Sequence, residues 1–211
     1  MRATPDSIPP CVCAAVEGPT DEAVLRRLLA ECGLPEPTVY GKQGKAAIHK
    51  RIHGYNAAAK QTPWIVMIDL DSDADCAPEL VSDWLPSPAP LMHLRVAVHE
   101  VESWLLADTE RIGKFLGVPL SRVPANPDAV PNPKLTLINL ARRSRSRAVR
   151  EDMTPRPKSG RTVGPAYVSR LIEFATDATA GWRPEVAVKE SPSLQGCMNR
   201  LGLLAKAMRE R

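Results

Sequence analysis

The chain has 211 residues, of which 44% are hydrophobic, with 28 Lys and Arg against 24 Asp and Glu. A chain of this length buries roughly 70% of the surface of its unfolded state, so it needs neither disulfides nor a structural metal to fold. This composition excludes a chain that is mostly disordered, and the apolar runs are far shorter than the ~20 residues that span a membrane.

The cysteines and the start of the sequence bear on the compartment. The five cysteines are an odd number without C-x-x-C spacing, which argues against structural zinc and favours reduced, buried thiols. The first ten residues contain Asp6, Pro5, Pro9 and Pro10, which is unlike the apolar stretch of a signal peptide. We therefore expect a cytoplasmic protein with no membrane partner.

Short apolar runs alternate with helical patterns through the first half of the chain. Four strands are predicted at Cys11–Val16, Pro37–Tyr40, Trp64–Ile68 and Leu91–Val98. Helices are predicted from an N-cap at Thr20 to about Gly33, from about Ala46 to Lys60, from Pro78 to Trp84, and from His99 to Ala107. This alternation is typical of an α/β fold with a mostly parallel sheet flanked by helices.

The pattern changes after Asp108. Residues 118–133 contain five prolines and predict a long irregular connection. Helices follow at about Lys134–Arg143, Ala166–Ala175 and Ser193–Met208. We therefore divide the chain into an α/β core, residues 1–110, and a proline-rich connection with a C-terminal helical appendage, residues 111–211.

The excess positive charge lies in one segment, residues 142–161, which holds eight basic and two acidic residues. Its arginines are candidates for neutralising the phosphates of nucleic acid. A flexible, solvated connector has the same composition, so both interpretations stay open. The arginines that we single out for nucleic-acid contact are Arg142, Arg143, Arg145 and Arg147.

Carboxylates follow three of the predicted strands, at the end of a parallel sheet where ligands bind. They are Glu17, Asp69, Asp71, Glu100 and Glu102. Such a cluster needs a bound cation or protonation of some members, because neighbouring carboxylates repel each other. Oxygen ligands without His or Cys favour Mg²⁺, Mn²⁺ or Ca²⁺ over zinc. Any one of these acids taken alone also suits a turn or a helix cap.

Spacing supports convergence of these acids. Asp69 and Asp71 point the same way if the strand geometry persists, and Asp21 lies four residues after Glu17 at a helix entrance. Lys42 and Lys45 lie in a glycine-containing loop after the second strand, where they are candidates to stabilise phosphate charge. The alternative is a solvated turn, and the loop is not a P-loop, since G-x-x-x-x-G-K-S/T is absent.

Two motifs resemble a known domain. Glu17-Gly-Pro-Thr-Asp21 after strand one and Asp69-Leu-Asp71 after strand three, in βαβ order, look like a TOPRIM domain. TOPRIM is the metal-binding module of topoisomerases, bacterial primases, OLD-family nucleases and small stand-alone nucleases, and E-G-x-T-D/E is most similar to the OLD type. The string from His99 to Asp108 and the later Ser191-Pro-Ser-Leu194 resemble a small bacterial TOPRIM family of unknown function.

The resemblance implies roles for individual residues. Glu17 corresponds to the metal ligand or general base, and Asp69 and Asp71 correspond to the pair that holds Mg²⁺ or Mn²⁺. Further acids complete a second metal site in OLD-like members, and the candidates are Asp21, Glu100 and Glu102. Asp73 extends the pair to the D-x-D-x-D of topoisomerases, but no active-site tyrosine motif supports strand passage.

The function that this resemblance implies is divalent-metal-dependent hydrolysis of phosphodiester bonds in nucleic acid, with DNA favoured over RNA. Lys45 is then a catalytic cation, and Lys42 contacts the nucleic acid. OLD-type proteins also carry an ATPase, so the resemblance implies a phage-defence effector that works with a separate ATPase. The main alternative is a non-catalytic module that binds metal and a protein partner, and a weaker one is a primase-like nucleotidyl transferase.

Overall fold

In the computed structural model, which describes residues 11–71 and 73–210, four strands form one parallel sheet. The strands are β1 (Cys13–Val16), β2 (Thr38–Gly41), β3 (Trp64–Asp69) and β4 (Met92–Ala97), in the order β2-β1-β3-β4. Val16 of β1 lies opposite Gly41 of β2 and Met67 of β3. The predicted α/β fold is thus confirmed, and all four predicted strands are present with slightly different ends.

The helices between the strands are α1 (Pro19–Glu31), α2 (Lys45–Ala58) and α3 (Ala77–Trp84). The two central strands, β1 and β3, are apolar and buried along most of their length, as expected for parallel strands with both faces covered. The N-cap expected at Thr20 is wrong: Gly18 caps α1, and Thr20 is buried inside the helix. Pro19 explains the shift, because proline lacks an N–H and suits the first helical position.

The described residues form two compact units, 11–96 with 196–210, and 97–195. The sequence-based division into 1–110 and 111–211 is a different partition and stays a prediction. The second unit contains helices α4 (Val101–Leu106), α5 (Thr109–Leu116), α6 (Pro133–Arg142), α7 (Arg147–Met153), α8 (Tyr167–Thr176) and α9 (Pro184–Ala187), with two 3₁₀ turns at Leu120–Arg122 and Pro127–Ala129. The last helix, α10 (Pro192–Arg209), begins in the second unit and ends in the first.

The interpretation of residues 142–161 as a flexible connector is wrong for the part that forms α7. Ser146 caps this helix by accepting a hydrogen bond from the Val149 N–H, and Arg147 pairs with Glu151 one turn later. Val149 and Met153 are buried and anchor the helix to its unit. Only two of the seven residues are buried and apolar, which gives a weak helical pattern, so the sequence of this segment resembles that of a solvated connector.

All five cysteines lie in the described part of the chain and are free. Cys197 is buried, but Cys11 and Cys76 are exposed, so the expectation of buried thiols is wrong for these two. Within residues 11–71 and 73–210, no helix is long and apolar enough to cross a membrane.

Candidate functional site

The ends of β1 and β3 bring Glu17 and Asp69 together. Glu17 follows the last residue of β1, and Asp69 is the last residue of β3, the parallel neighbour of β1. One carboxylate oxygen of Glu17, Oε1, accepts a hydrogen bond from the backbone N–H of Asp69 at 2.9 Å. Strand adjacency therefore produces the convergence that the motif spacing predicts.

Lys45 contacts two of the acidic side chains that follow β3. Its Nζ lies 3.1 Å from Asp71 Oδ2 and 2.6 Å from Asp73 Oδ2, and it donates a hydrogen bond to the Leu70 carbonyl at 3.2 Å. Asp71 has a φ of 52°, outside the strand region, so alternation along β3 does not set its direction. We call Glu17, Asp69, Asp71 and Asp73 with Lys45 the Lys45 cluster.

The loop after β2 fixes the two lysines in different places. Gly41 has a φ of 91°, and a Cβ there would lie 2.8 Å from the Val16 carbonyl oxygen, so only glycine lets the loop leave the sheet at this point. The N–H of Gly44 then donates to the Glu17 carbonyl at 3.1 Å, and Lys45 begins α2 beside it. Lys42 instead pairs with Glu22 at 2.9 Å, away from Asp71 and Asp73.

The charges of the Lys45 cluster shift two pKa values. Burial raises the pKa of Glu17, and the negative charges of Asp71 and Asp73 add to this rise, while the Asp69 N–H and Lys45 oppose it. Burial by itself lowers the pKa of Lys45, but its hydrogen bonds to Asp73 and Asp71 outweigh that effect and raise it. Glu17 is therefore held closer to protonation than an ordinary glutamate, whereas Lys45 is held in its charged form.

Asp21 is buried in the first turn of α1. A Cβ at Gly18 would lie 3.3 Å from Asp21 Oδ2, so the glycine of the E-G-P-T-D motif leaves room for this carboxylate. Among residues 11–71 and 73–210, no group of three or more His, Cys, Asp or Glu side chains is arranged to hold a metal ion as it stands. The acidic side chains of the Lys45 cluster offer carboxylate oxygens as metal ligands, and such oxygens suit Mg²⁺ or Mn²⁺.

Glu100 and Glu102 belong to the second unit, where Lys134 and Tyr167 contact them. Lys134 Nζ lies 2.6 Å from Glu100 Oε1 and 3.7 Å from Glu102 Oε1, and the Lys134 N–H donates to Glu100 Oε2 at 2.9 Å. The Tyr167 hydroxyl donates to Glu102 Oε1 at 3.3 Å. We call these four residues the Lys134 cluster, and the metal role expected for the two glutamates stays a prediction.

Burial dominates the electrostatics of the Lys134 cluster. It raises the pKa of Glu102, with Glu100 adding to the rise and Lys134 opposing it. It also raises the pKa of the Tyr167 hydroxyl. The sequence does not identify Lys134 or Tyr167, because they lie 34 and 65 residues from their glutamate partners and no local pattern connects them.

The His99–Asp108 string and the Ser191-Pro-Ser-Leu194 motif are joined by hydrogen bonds within the second unit. The Trp104 indole N–H donates to Ser193 Oγ at 2.7 Å. Asp128 accepts hydrogen bonds from the Ser191 hydroxyl at 2.8 Å and from the Ser193 N–H at 3.0 Å. Asp108 is fully buried and pairs with Arg183. These contacts give the Ser-Pro-Ser-Leu motif and the end of the His99–Asp108 string a role in folding.

The arginines proposed for nucleic-acid contact lie on the surface of the second unit. Arg142, Arg143, Arg145 and Arg147 are all exposed. Arg142 and Arg143 border an open depression together with Arg122, Thr136 and Asn139. Arg142 donates to Asn139 at 3.1 Å and Arg147 pairs with Glu151, so two of the four have local partners on the same surface.

The chain was compared with known proteins and with sequence models of protein families. No match was found among curated proteins or among solved structures. One family model, described as "Domain of unknown function (DUF4276)", matches residues 16–201. The matched range includes the Lys45 cluster and the Lys134 cluster and covers most of the sequence, and the chain thus belongs to the DUF4276 family.

Proposed function

We propose that the chain is a divalent-metal-dependent phosphodiesterase that acts on nucleic acid and has a TOPRIM-like core. The observation that carries this proposal is the hydrogen bond from the Asp69 N–H to Glu17 at two adjacent strand ends. It joins the two motifs on which the TOPRIM resemblance depends, E-G-P-T-D and D-L-D. Lys45 adds Asp71 and Asp73 at the same end of the sheet.

The charge balance of the Lys45 cluster supports a bound cation. Glu17, Asp71 and Asp73 lie within electrostatic reach of one another and of the Lys45 ammonium. At ~5 Å and an effective dielectric constant of about 20, each like-charge pair costs on the order of 3 kcal/mol. A divalent cation would offset this repulsion, and Glu17, Asp69 and Asp71 are the side chains that we propose to hold it. When bound, the metal would activate water and stabilise the leaving oxygen of a phosphodiester.

Two side chains of the cluster have distinct proposed tasks. Glu17 is proposed either to bind the metal or, where it does not, to accept a proton, because its raised pKa in the metal-free protein makes it a stronger base than an ordinary carboxylate. Lys45 supplies fixed positive charge for the phosphate oxygens, because its ammonium is half-buried and stays protonated. On binding substrate, Lys45 would exchange part of its contact with Asp71 and Asp73 for a phosphate oxygen.

The exposed arginines from Arg142 to Arg147 are proposed to bind backbone phosphates, with DNA as the favoured substrate. A separate ATPase and a role in phage defence are proposed from the OLD-type resemblance. The sequence has no P-loop motif, so an ATPase activity would come from a partner chain.

A cleavage assay tests the proposal. Single-stranded, duplex and supercoiled DNA, with RNA as a fourth substrate, are incubated with Mg²⁺ or Mn²⁺ and either wild type, Asp69→Ala or Asp83→Ala. Asp83 is exposed on α3 and serves as the control for loss of one carboxylate. We expect cleavage that EDTA stops and that Asp69→Ala reduces by at least about 10²-fold, while Asp83→Ala retains it.

Cleavage that survives Asp69→Ala would contradict the assignment of the Lys45 cluster as the catalytic site. Absence of cleavage on every substrate, combined with Mn²⁺ binding that Asp69→Ala removes, would favour the non-catalytic metal-binding module. Calorimetric titration with Mn²⁺ measures that binding without depending on activity.

A further inference from the structure

Three basic side chains at or near the edge strand β4 lie within electrostatic reach of one another, apart from the residues of the Lys45 cluster. His93 and Arg95 alternate along β4 and therefore lie on the same face of the sheet, while Met92 and Leu94 are buried on the other face. Arg200, on α10, is within electrostatic reach of both. His93 and Arg95 are half-buried and Arg200 is exposed, so the group is open to solvent at Arg200.

Among the described residues, no acidic side chain forms an ion pair with the half-buried guanidinium of Arg95. In the part of the chain that the structure describes, no ion pair involves Arg95 or Arg200, and Arg95 Nε is buried without a hydrogen-bond partner. A buried donor without an acceptor is costly, and a buried charge without a partner is more so. The neighbouring thiol of Cys197 is buried, and burial raises its pKa to about 12, so it carries no negative charge at pH 7.

The repulsion within this group affects its titration. Burial lowers the pKa of His93 to about 4, and the charges of Arg95 and Arg200 contribute in the same direction. Burial also lowers the pKa of Arg95, as does Arg200, with Cys197 opposing. The imidazole is therefore neutral at pH 7, where one of its nitrogens carries a proton and is a hydrogen-bond donor.

We propose that His93, Arg95 and Arg200 form a binding site for a phosphate group. The planar guanidinium fork matches the geometry of phosphate oxygens, and a phosphate has enough acceptors for two arginines and one imidazole. The anion would satisfy the unpartnered Arg95 Nε and offset the mutual repulsion of the two arginines. The phosphate belongs either to a mononucleotide or to a nucleic-acid backbone. This inference does not rest on the metal-dependent activity.

Phosphate binding is tested by thermal unfolding of the full chain in rising inorganic phosphate, with chloride keeping the ionic strength constant. The variants are Arg95→Met, Arg200→Gln and, as the control for loss of one positive charge, Arg51→Gln, which changes an exposed residue of α2. We expect phosphate to raise the unfolding midpoint of wild type and Arg51→Gln. We expect Arg200→Gln, which changes an exposed residue, to fold and to weaken phosphate binding about tenfold or more.

Arg95→Met separates a binding role from a structural one. If the role of Arg95 is to bind an anion, methionine removes a half-buried charge that has no ion pair among the described residues. The variant should then unfold at a higher temperature than wild type without phosphate and gain nothing from phosphate. A lower midpoint without phosphate would assign Arg95 to the packing of the unit. A phosphate effect of equal size in all four proteins, or none in wild type, would overturn the proposal.

The His93 imidazole proton signal provides a second measurement. A bound phosphate would raise the pKa of His93 from about 4, and Arg200→Gln should reduce that response. Repeating the titration with a 5′-mononucleotide and with a single-stranded oligonucleotide distinguishes the sources. Tighter binding of the oligonucleotide, with strong salt dependence, would identify a backbone phosphate. Equal affinities would identify a single phosphate group.

Discussion

The Lys45 cluster and the Lys134 cluster each combine one lysine with acidic side chains, but their acids differ in exposure to solvent. In the Lys134 cluster, one lysine and one tyrosine contact two glutamates, and the Glu102 side chain is only 5% exposed. In the Lys45 cluster, Lys45 pairs with Asp71 and Asp73, whose side chains are 44% and 46% exposed. The acids paired with Lys134 are largely buried, whereas those paired with Lys45 are open to solvent.

We propose on this basis that the acids of the Lys45 cluster are better suited to bind an ion than those of the Lys134 cluster. A buried carboxyl with a raised pKa and a hydrogen-bond donor stabilises the unit through packing and hydrogen bonding. Partly exposed acids that exceed their donors in number repel one another and gain most from an added cation. Position after a strand end is common to both groups, so position alone does not distinguish the two roles.

The largest effect on stability is expected from Glu102→Ala. This change leaves the buried Tyr167 hydroxyl without its acceptor and opens a cavity beside it, so we expect a loss of about 3 kcal/mol in the free energy of unfolding. Chemical denaturation measures the loss. Glu185→Ala, at an exposed site of α9, serves as the control and should cost less than about 0.5 kcal/mol. A loss for Glu102→Ala as small as that of Glu185→Ala would show that the contact contributes little.

The sequence predicts the fold well because short apolar runs, which mark buried strands, recur along the chain. The apolar run Trp64–Ile68 marks β3 to within one residue of its end, and the four strands follow from the same signal. The sequence also predicts that Glu17 and Asp69 lie close together, because adjacent parallel strands place their carboxyl ends side by side. Local patterns fail where one residue type competes with another, as when Gly18 and Pro19 displace the expected cap at Thr20.

The remaining features of the two clusters depend on long-range packing. Asp71 departs from strand alternation through a positive φ that no motif encodes. The contact of Lys134 with Glu100 and Glu102 joins residues more than 30 positions apart. Asp73 is the exception, since its place in D-x-D-x-D already indicates a role beside Asp71, and Lys45 contacts both.

A medium effect is expected from Lys45→Met, which sharpens the contrast between the two clusters. Without metal, the carboxylates lose their shared ammonium, and we expect a loss of about 1 kcal/mol, small because Asp71 and Asp73 are partly exposed to solvent. Mg²⁺ should then stabilise this variant more than wild type, because the added cation replaces the missing charge. Thermal unfolding in EDTA and in Mg²⁺ measures both effects.

Lys42→Met is the matched control for this experiment. Lys42 lies in the same loop but pairs with Glu22, so its loss should cause no added response to Mg²⁺. An equal response to Mg²⁺ in both variants would mean that the ion acts on the general surface charge and not at the Lys45 cluster.

The smallest expected effect is a pH dependence that comes from Glu17. Because its pKa is raised in the folded state, mainly by burial, folding favours the protonated form. Stability from this group is therefore complete below its ordinary pKa and declines as the pH rises from that value through the raised one. Glu17→Gln removes the decline, so the stability of the variant relative to wild type should increase across this pH range. Since Glu102 titrates in both proteins, its contribution cancels in the difference.

Adding Mg²⁺ decides whether the Glu17 profile reflects an ion site. A cation bound beside Glu17 favours the ionised carboxylate and lowers its pKa. The decline in wild-type stability with rising pH should then shrink or change sign in Mg²⁺, while the profile of Glu17→Gln stays unchanged. Urea unfolding at a series of pH values, with and without Mg²⁺, gives this comparison. A wild-type profile that Mg²⁺ leaves unaltered would contradict a cation site beside Glu17.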